Sequence, residues 1–312
     1  MPVLVLIHGR SQQNKDPAAL KTEWLDALED GLLRAGFANA RVPDDLARFV
    51  YYGQLLGDVE DGKERPAGLV VRHGHAVDLA PMVDSISISQ GGVPTLETEL
   101  LELAAERLKH FLPPEAGPSG LLAPGDSRVA TRGVANWEWV QAVLRAADRY
   151  VPWMSELTIR MVFSDVQRYI GDAQFKAGLL AAAIERLGGL TEPIVVVSRS
   201  LGTAVAHDLL NDERCSNWKV PLWVTLGSPL RIRHVQASLG EIRFPSCVSH
   251  WMNAYDERDV IALHQVDFSP PPEKTFSEIN TIRNRSRNHH GIAGYLRDRV
   301  VADSIGRALG LK

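Results

Sequence analysis

The sequence predicts an α/β protein built on a doubly wound, mainly parallel sheet. Short β-rich runs are almost continuously apolar, as strands covered on both faces must be. Amphipathic helical patterns alternate with them, which points to right-handed βαβ units. The chain has 312 residues, 45% of them hydrophobic, and is long enough to bury the core such a sheet needs.

Five runs are expected strands: Val3–His8, Arg48–Tyr52, Ile194–Ser198, Leu222–Leu226 and Val248–Asn253. After the first, residues 18–35 place Leu20, Trp24, Leu28 and Leu32 on one helical stripe, and Gly36 ends it. After the third, a helix over Gly202 to Leu210 begins at once. The stretch between the second and third strands is long. It holds a Leu-rich helical segment, Leu96 to Leu112, a Pro/Gly-rich connector at 113–126, and a second helical segment, Trp137 to Tyr150. The organisation expected is a single domain over 1–312, with a mostly helical insertion over about 55–155 covering an edge or the mouth of a site. Its tryptophans Trp137, Trp139 and Trp153 are expected to pack that insertion.

Bulk composition excludes several classes. A net charge of −4 and a pI near 6.2 argue against a surface built to neutralise nucleic-acid phosphates. Two cysteines, Cys215 and Cys247, are too few for a disulfide framework or a four-ligand zinc site, and read as core thiols. His73 and His75 lack nearby Cys or carboxylate partners in sequence, so no metal is expected there. The start MPVLVLIHGR has no basic leader or small-residue cleavage site, and Val3 to Ile7 is far too short to span a bilayer. A cytoplasmic protein without a transmembrane segment is the expectation.

The segment EPIVVVSRSLGTAVAHDLL carries the chemistry. A buried strand runs into Ser198-Arg199-Ser200-Leu201-Gly202, and a helix follows directly. This strand–turn–helix puts Ser200 on a sharp turn at the carboxyl edge of the sheet. Small residues two before and two after it let the strand and helix backbones approach. Ser198 stands where the usual G-x-S-x-G pattern has its first glycine. The competing reading is a tight phosphate-binding turn. A serine hydroxyl becomes a nucleophile only when a base removes its proton. The resulting oxyanion needs preorganised donors. Two are expected, the Leu201 N–H at the helix start and the Arg10 N–H in the loop Ile7-His8-Gly9-Arg10. An acid and a base should follow in that order. The chain offers Asp256 and Asp259 in HWMNAYDERDVIAL, then His289 and His290 in NRSRNHHGIAGYL.

With these residues in view, the chain resembles α/β-hydrolase-fold lipases and esterases, and more closely a group of bacterial α/β-hydrolase proteins. The resemblance runs over LVLIHGRSQQ, FSDVQRYI, the elbow SRSLGT, VTLGSPL, WMNAYDERDVIAL and HGIAGYL. It implies a sheet of the α/β-hydrolase type. The turn Gly227 to Leu230 is similar to the TFGSP segment of fungal-type triacylglycerol lipases, whose acid precedes a hydrophobic pair and a small residue or Pro. Asp259-Val260-Ile261-Ala262 fits that spacing, and the resemblance therefore implies Asp259 as the acid. The His five residues before Tyr in HGIAGYL is His290, which it implies as the base. Arg199 replaces the His often found before the nucleophile, where it would alter charge near the acyl pocket.

The function expected is ester hydrolysis through Ser200, Asp259 and His290, on a small-molecule or lipid ester, with neither metal nor organic cofactor. An acyltransferase or thioesterase would use the same triad, and a binding protein could keep the fold without turnover. An NTPase reading of Gly57 to Glu64 fails because Glu64 replaces the magnesium-binding hydroxyl and the loop carries acids. Arg283, Arg285 and Arg287, just before the histidines, read as a solvated loop or as an attractor for an anionic group.

Overall fold

The computed structural model describes residues 1–9, 16–38, 41–52, 166, 168–259, 261–262, 269–286 and 289–312. The expected insertion, with Trp137, Trp139, Trp153, His73, His75 and the Gly57–Glu64 loop, lies outside the described residues.

Among the described residues the core is a six-stranded sheet, every pairing parallel. The strands are β1 (Val3–Ile7), β2 (Ala47–Val50), β3 (Ile194–Arg199), β4 (Val220–Leu226), β5 (Val248–Ala254) and β6 (Thr275–Ile279). Their spatial order is β2-β1-β3-β4-β5-β6. The helices among the described residues are α1 (Pro17–Ala35), α2 (Ala173–Leu187), α3 (Leu201–Leu210), α4 (Arg233–Leu239), α5 (Ile292–Leu296) and α6 (Arg299–Leu309).

Five strands fall where the apolar runs place them. β6 is additional, and its physics explains why: at the sheet edge it is only half-buried and reads TFSEI, without an apolar run. α1 is capped at its start by Asp16, whose carboxylate accepts from Ala18 and Ala19 N–H groups, and at its end by Gly36 at φ 97°. α6 uses the same devices, with Asp298 at its start and Gly310 at φ 75°.

Alternate strand residues face opposite sides of the sheet. Leu4, Leu6, Val195, Val197, Val224 and Met252 join the apolar faces of α1, α5 and α6 in one core. Val3, Val5, Ile7, Ile194 and Val196 point the other way and are equally buried. α2 and α3 pack on one another, with α3 against β1 and β3. No helix among the described residues is long and apolar enough to cross a membrane. Cys215 and Cys247 are buried, and burial pushes their thiols up to about 12 and about 11, so both stay protonated and unreactive.

This topology fixes where a site belongs. The chain leaves β1 toward β2 on one side and returns to β3 on the other. The carboxyl ends of β1 and β3 therefore bound a crevice at the point where the strand order reverses, where open parallel sheets bind ligands.

Candidate active site

Ser200 sits at that crevice, between the end of β3 and the first turn of α3. Its φ of 54° and ψ of −131° match the first corner of a type II′ turn, a position normally left to glycine. Such a conformation costs about 1–3 kcal/mol in a non-glycine residue and persists only where the surroundings impose it. Here they do. The Ser200 N–H donates to the Leu226 carbonyl at 3.0 Å, while the N–H and hydroxyl of Thr203 both donate to the Ser200 carbonyl, at 2.9 and 2.8 Å.

Two glycines make the close approach possible. A Cβ on Gly202 would lie 2.3 Å from the His8 carbonyl oxygen, and one on Gly9 would lie 2.9 Å from the Ser200 Cβ. Ser198, by contrast, has a use for its side chain. Its hydroxyl donates to the Val224 carbonyl at 3.1 Å and accepts from the Trp223 indole at 2.9 Å. Trp223 stacks on Trp251 at 4.4 Å, and the Trp251 indole donates to Thr225, the register partner of Ser198. The serine in place of glycine thus anchors a pair of stacked tryptophans beneath the turn.

His290 and Asp259 come together. The His290 Nδ1 lies 2.6 Å from the Asp259 Oδ2. A carboxylate only accepts, so Nδ1 carries a proton, and in the neutral ring Nε2 keeps its lone pair. Asp259 also accepts from the Tyr295 hydroxyl at 2.5 Å and from the Ile261 N–H at 3.0 Å. Burial and the neighbouring Asp259 charge push the Tyr295 phenol well above its usual range, so it remains a donor.

The other members of each pair do different work. Asp256 accepts from the Arg258 guanidinium at 2.9 and 2.6 Å, from the Arg258 N–H at 2.9 Å and from the Asn284 N–H at 2.7 Å. Burial raises its pKa, but these donors outweigh it and hold the carboxyl below the usual range. His289, at φ 52°, turns its Nδ1 to the Asn284 carbonyl at 2.7 Å.

Gly227, at φ 55°, closes the arrangement. A Cβ there would stand 2.8 Å from both Asp259 Oδ2 and His290 Nδ1. Its neighbour Leu226 holds the Ser200 N–H, so one turn touches both the serine and the His–Asp pair. As the first residue of α3, Leu201 has an N–H with no carbonyl four residues back, an available donor beside Ser200. Arg10, the other expected donor, and Arg287 lie outside the described residues.

His8, which precedes that donor, is structural. Its Nε2 accepts from the Tyr52 N–H at 3.0 Å and its ring stacks on Tyr52 at 4.0 Å. Its Nδ1 donates to the Gly9 carbonyl, and the Tyr52 hydroxyl donates to the His8 carbonyl. Burial lowers its pKa to about 4, so it is neutral at pH 7.

Two positioning residues had no clear sequence signal. Asn284, in what reads as a surface loop, is buried. Its amide donates to the Gly291 carbonyl at 2.7 Å and its oxygen accepts from the Ser286 hydroxyl at 2.7 Å, bracing the loop around His290. Arg199 donates from Nε to the His290 carbonyl at 3.1 Å. Among the described residues no group of three or more His, Cys, Asp or Glu is placed to hold a metal ion.

In comparisons with known proteins, no family model, no curated protein and no solved structure matches this chain.

Proposed function

We propose that this protein is a serine hydrolase of the α/β-hydrolase type that cleaves carboxylic esters. The observation that carries the reading is the 2.6 Å bond between His290 Nδ1 and Asp259, made on the same turn that holds the strained Ser200. Ser200, Asp259 and His290 follow β3, β5 and β6, all at the carboxyl edge of one parallel sheet and in the chain order expected of this chemistry.

In the proposed reaction the His290 Nε2 takes the Ser200 hydroxyl proton as Oγ bonds to the ester carbonyl carbon. The Leu201 N–H, with the N–H of Arg10, stabilises the oxyanion. The C–O bond to the alcohol then breaks, and His290 returns its proton to the leaving oxygen. Water, deprotonated by His290, attacks the acyl carbon, the bond from that carbon to Ser200 Oγ breaks, and His290 returns the proton to Oγ as the acid leaves. Asp259 holds the imidazole tautomer throughout and stabilises the imidazolium.

Hydrolysis of p-nitrophenyl esters from acetate to palmitate, by the native protein and by Ser200→Ala, tests this. The reading expects turnover of at least one ester and its loss in the variant. Turnover unchanged in Ser200→Ala would overturn it.

A further inference from the structure

The loop that carries His290 also walls a groove of about 600 Å³. Arg283 and Arg285 line it from that loop, Arg34 from the end of α1, and Arg297 and Arg299 from the junction of α5 and α6. Five arginines thus share one concavity in a chain whose net charge is −4. Among the described residues only Arg297 is compensated, its Nε 3.0 Å from the Asp30 carboxylate. Asp298, the one acid among the described residues of the lining, is held at the start of α6, where it accepts from Val300 and Val301 N–H groups at 2.8 and 3.3 Å. Four guanidinium groups are left without an ion pair among the described residues.

Like charges around one concavity repel, and a sequence has no structural reason to gather them from three separate segments. Phosphate answers the arrangement. The arginine fork donates to it bidentately and keeps its charge at any working pH. Two adjacent phosphates bring roughly −3 to −4, comparable with the uncompensated arginines. The volume falls in the range of small-molecule sites, and a half-open concavity of this size suits a small ligand better than a nucleic-acid backbone, which needs an extended stripe. Ala293 and Gly294 offer a small uncharged surface beside the cations for the organic part.

We propose that this groove binds a small organic diphosphate, of the nucleoside-diphosphate type. The site is independent of the serine chemistry, and its test does not use turnover.

The test is calorimetric titration of the full chain with ADP and with pyrophosphate, at near-physiological ionic strength so that non-specific attraction is screened. Arg283→Glu and Arg34→Glu are each compared with Arg186→Glu, an equal charge change on an exposed residue of α2. Circular dichroism checks that each is folded. Saturable binding is expected, weakened about tenfold or more in both groove variants and less than about twofold in the control, since each loses a bidentate phosphate contact. No binding by the native protein, equal weakening in all three variants, or saturable binding only of a single-stranded oligonucleotide would each overturn the proposal.

Discussion

The guanidinium of Arg199 donates to the main-chain carbonyl of His290, with Nε 3.1 Å from the oxygen. The residue immediately before Ser200 is thereby tied to the proposed base across 91 positions of chain. Arg199 touches neither the serine hydroxyl nor the imidazole through this bond. It fixes the backbone from which the imidazole projects.

Loss of that tie should act on turnover. Arg199→Met should lower kcat by about 10- to 100-fold with a small change in KM, because misplacement of a catalytic group by about 1 Å has effects of that size. Arg199→Lys should recover part of the loss. Steady-state kinetics on an activated ester checks both, and a change confined to KM would instead place Arg199 in substrate binding.

Gly227→Ala is expected to strike the Asp259–His290 pair directly. The added Cβ would stand 2.8 Å from both partners of the Asp259–His290 bond, at a φ of 55° that alanine also disfavours. Turnover should fall by about 1,000-fold or more, as when a catalytic unit loses a member, while the far-ultraviolet spectrum stays native. Near-native turnover would mean that the Asp259–His290 bond is not needed.

The two acids should separate by readout. Asp259→Asn should reduce kcat on the order of 10⁴-fold by allowing the wrong imidazole tautomer, with modest effect on folding. Asp256→Asn leaves Arg258 without its buried partner. Because Arg258 retains contact with water, the expected cost is about 2–3 kcal/mol of stability, with most turnover kept in the folded fraction. Urea unfolding alongside kinetics on each variant decides the assignment.

Much of this was legible in the sequence, and the exceptions have physical causes. The inner strands β1, β3, β4 and β5 announce themselves because both faces are largely buried, and β2 through the run at 49–52, whereas β6 is a half-buried edge whose TFSEI has no apolar signature. The turn at Ser200 is visible because Gly202 must be small, and the Ser198 departure is now explained by the Trp223 indole. What sequence spacing alone left open was Asp256 against Asp259 and His289 against His290. Asp256 is held by its neighbour Arg258 and by the distant Asn284, Asp259 by the distant Tyr295 and His290, and no local pattern displays these long-range contacts. Asn284 was illegible for the same reason, since a polar residue in a polar loop gives no hint of burial.

His8 should make stability pH-dependent. Its folded pKa of about 4 lies below the usual imidazole value of 6.5. The unfolded chain therefore binds the extra proton first, and stability present above pH 6.5 is lost as the pH falls toward 4. At pH 4.5 the loss is about 2–3 kcal/mol. Urea midpoints at pH 7 and 4.5 should differ less in His8→Gln than in the native protein. An identical pH slope in both would show that His8 is not buried neutral.

The central claim is that Ser200 is an activated nucleophile, and labelling with a fluorophosphonate probe tests it most directly. The native protein should be labelled, peptide mapping should place the adduct on Ser200, and both Ser200→Ala and His290→Ala should abolish the signal. A folded native protein that stays unlabelled, or labelling that persists in Ser200→Ala, would contradict it.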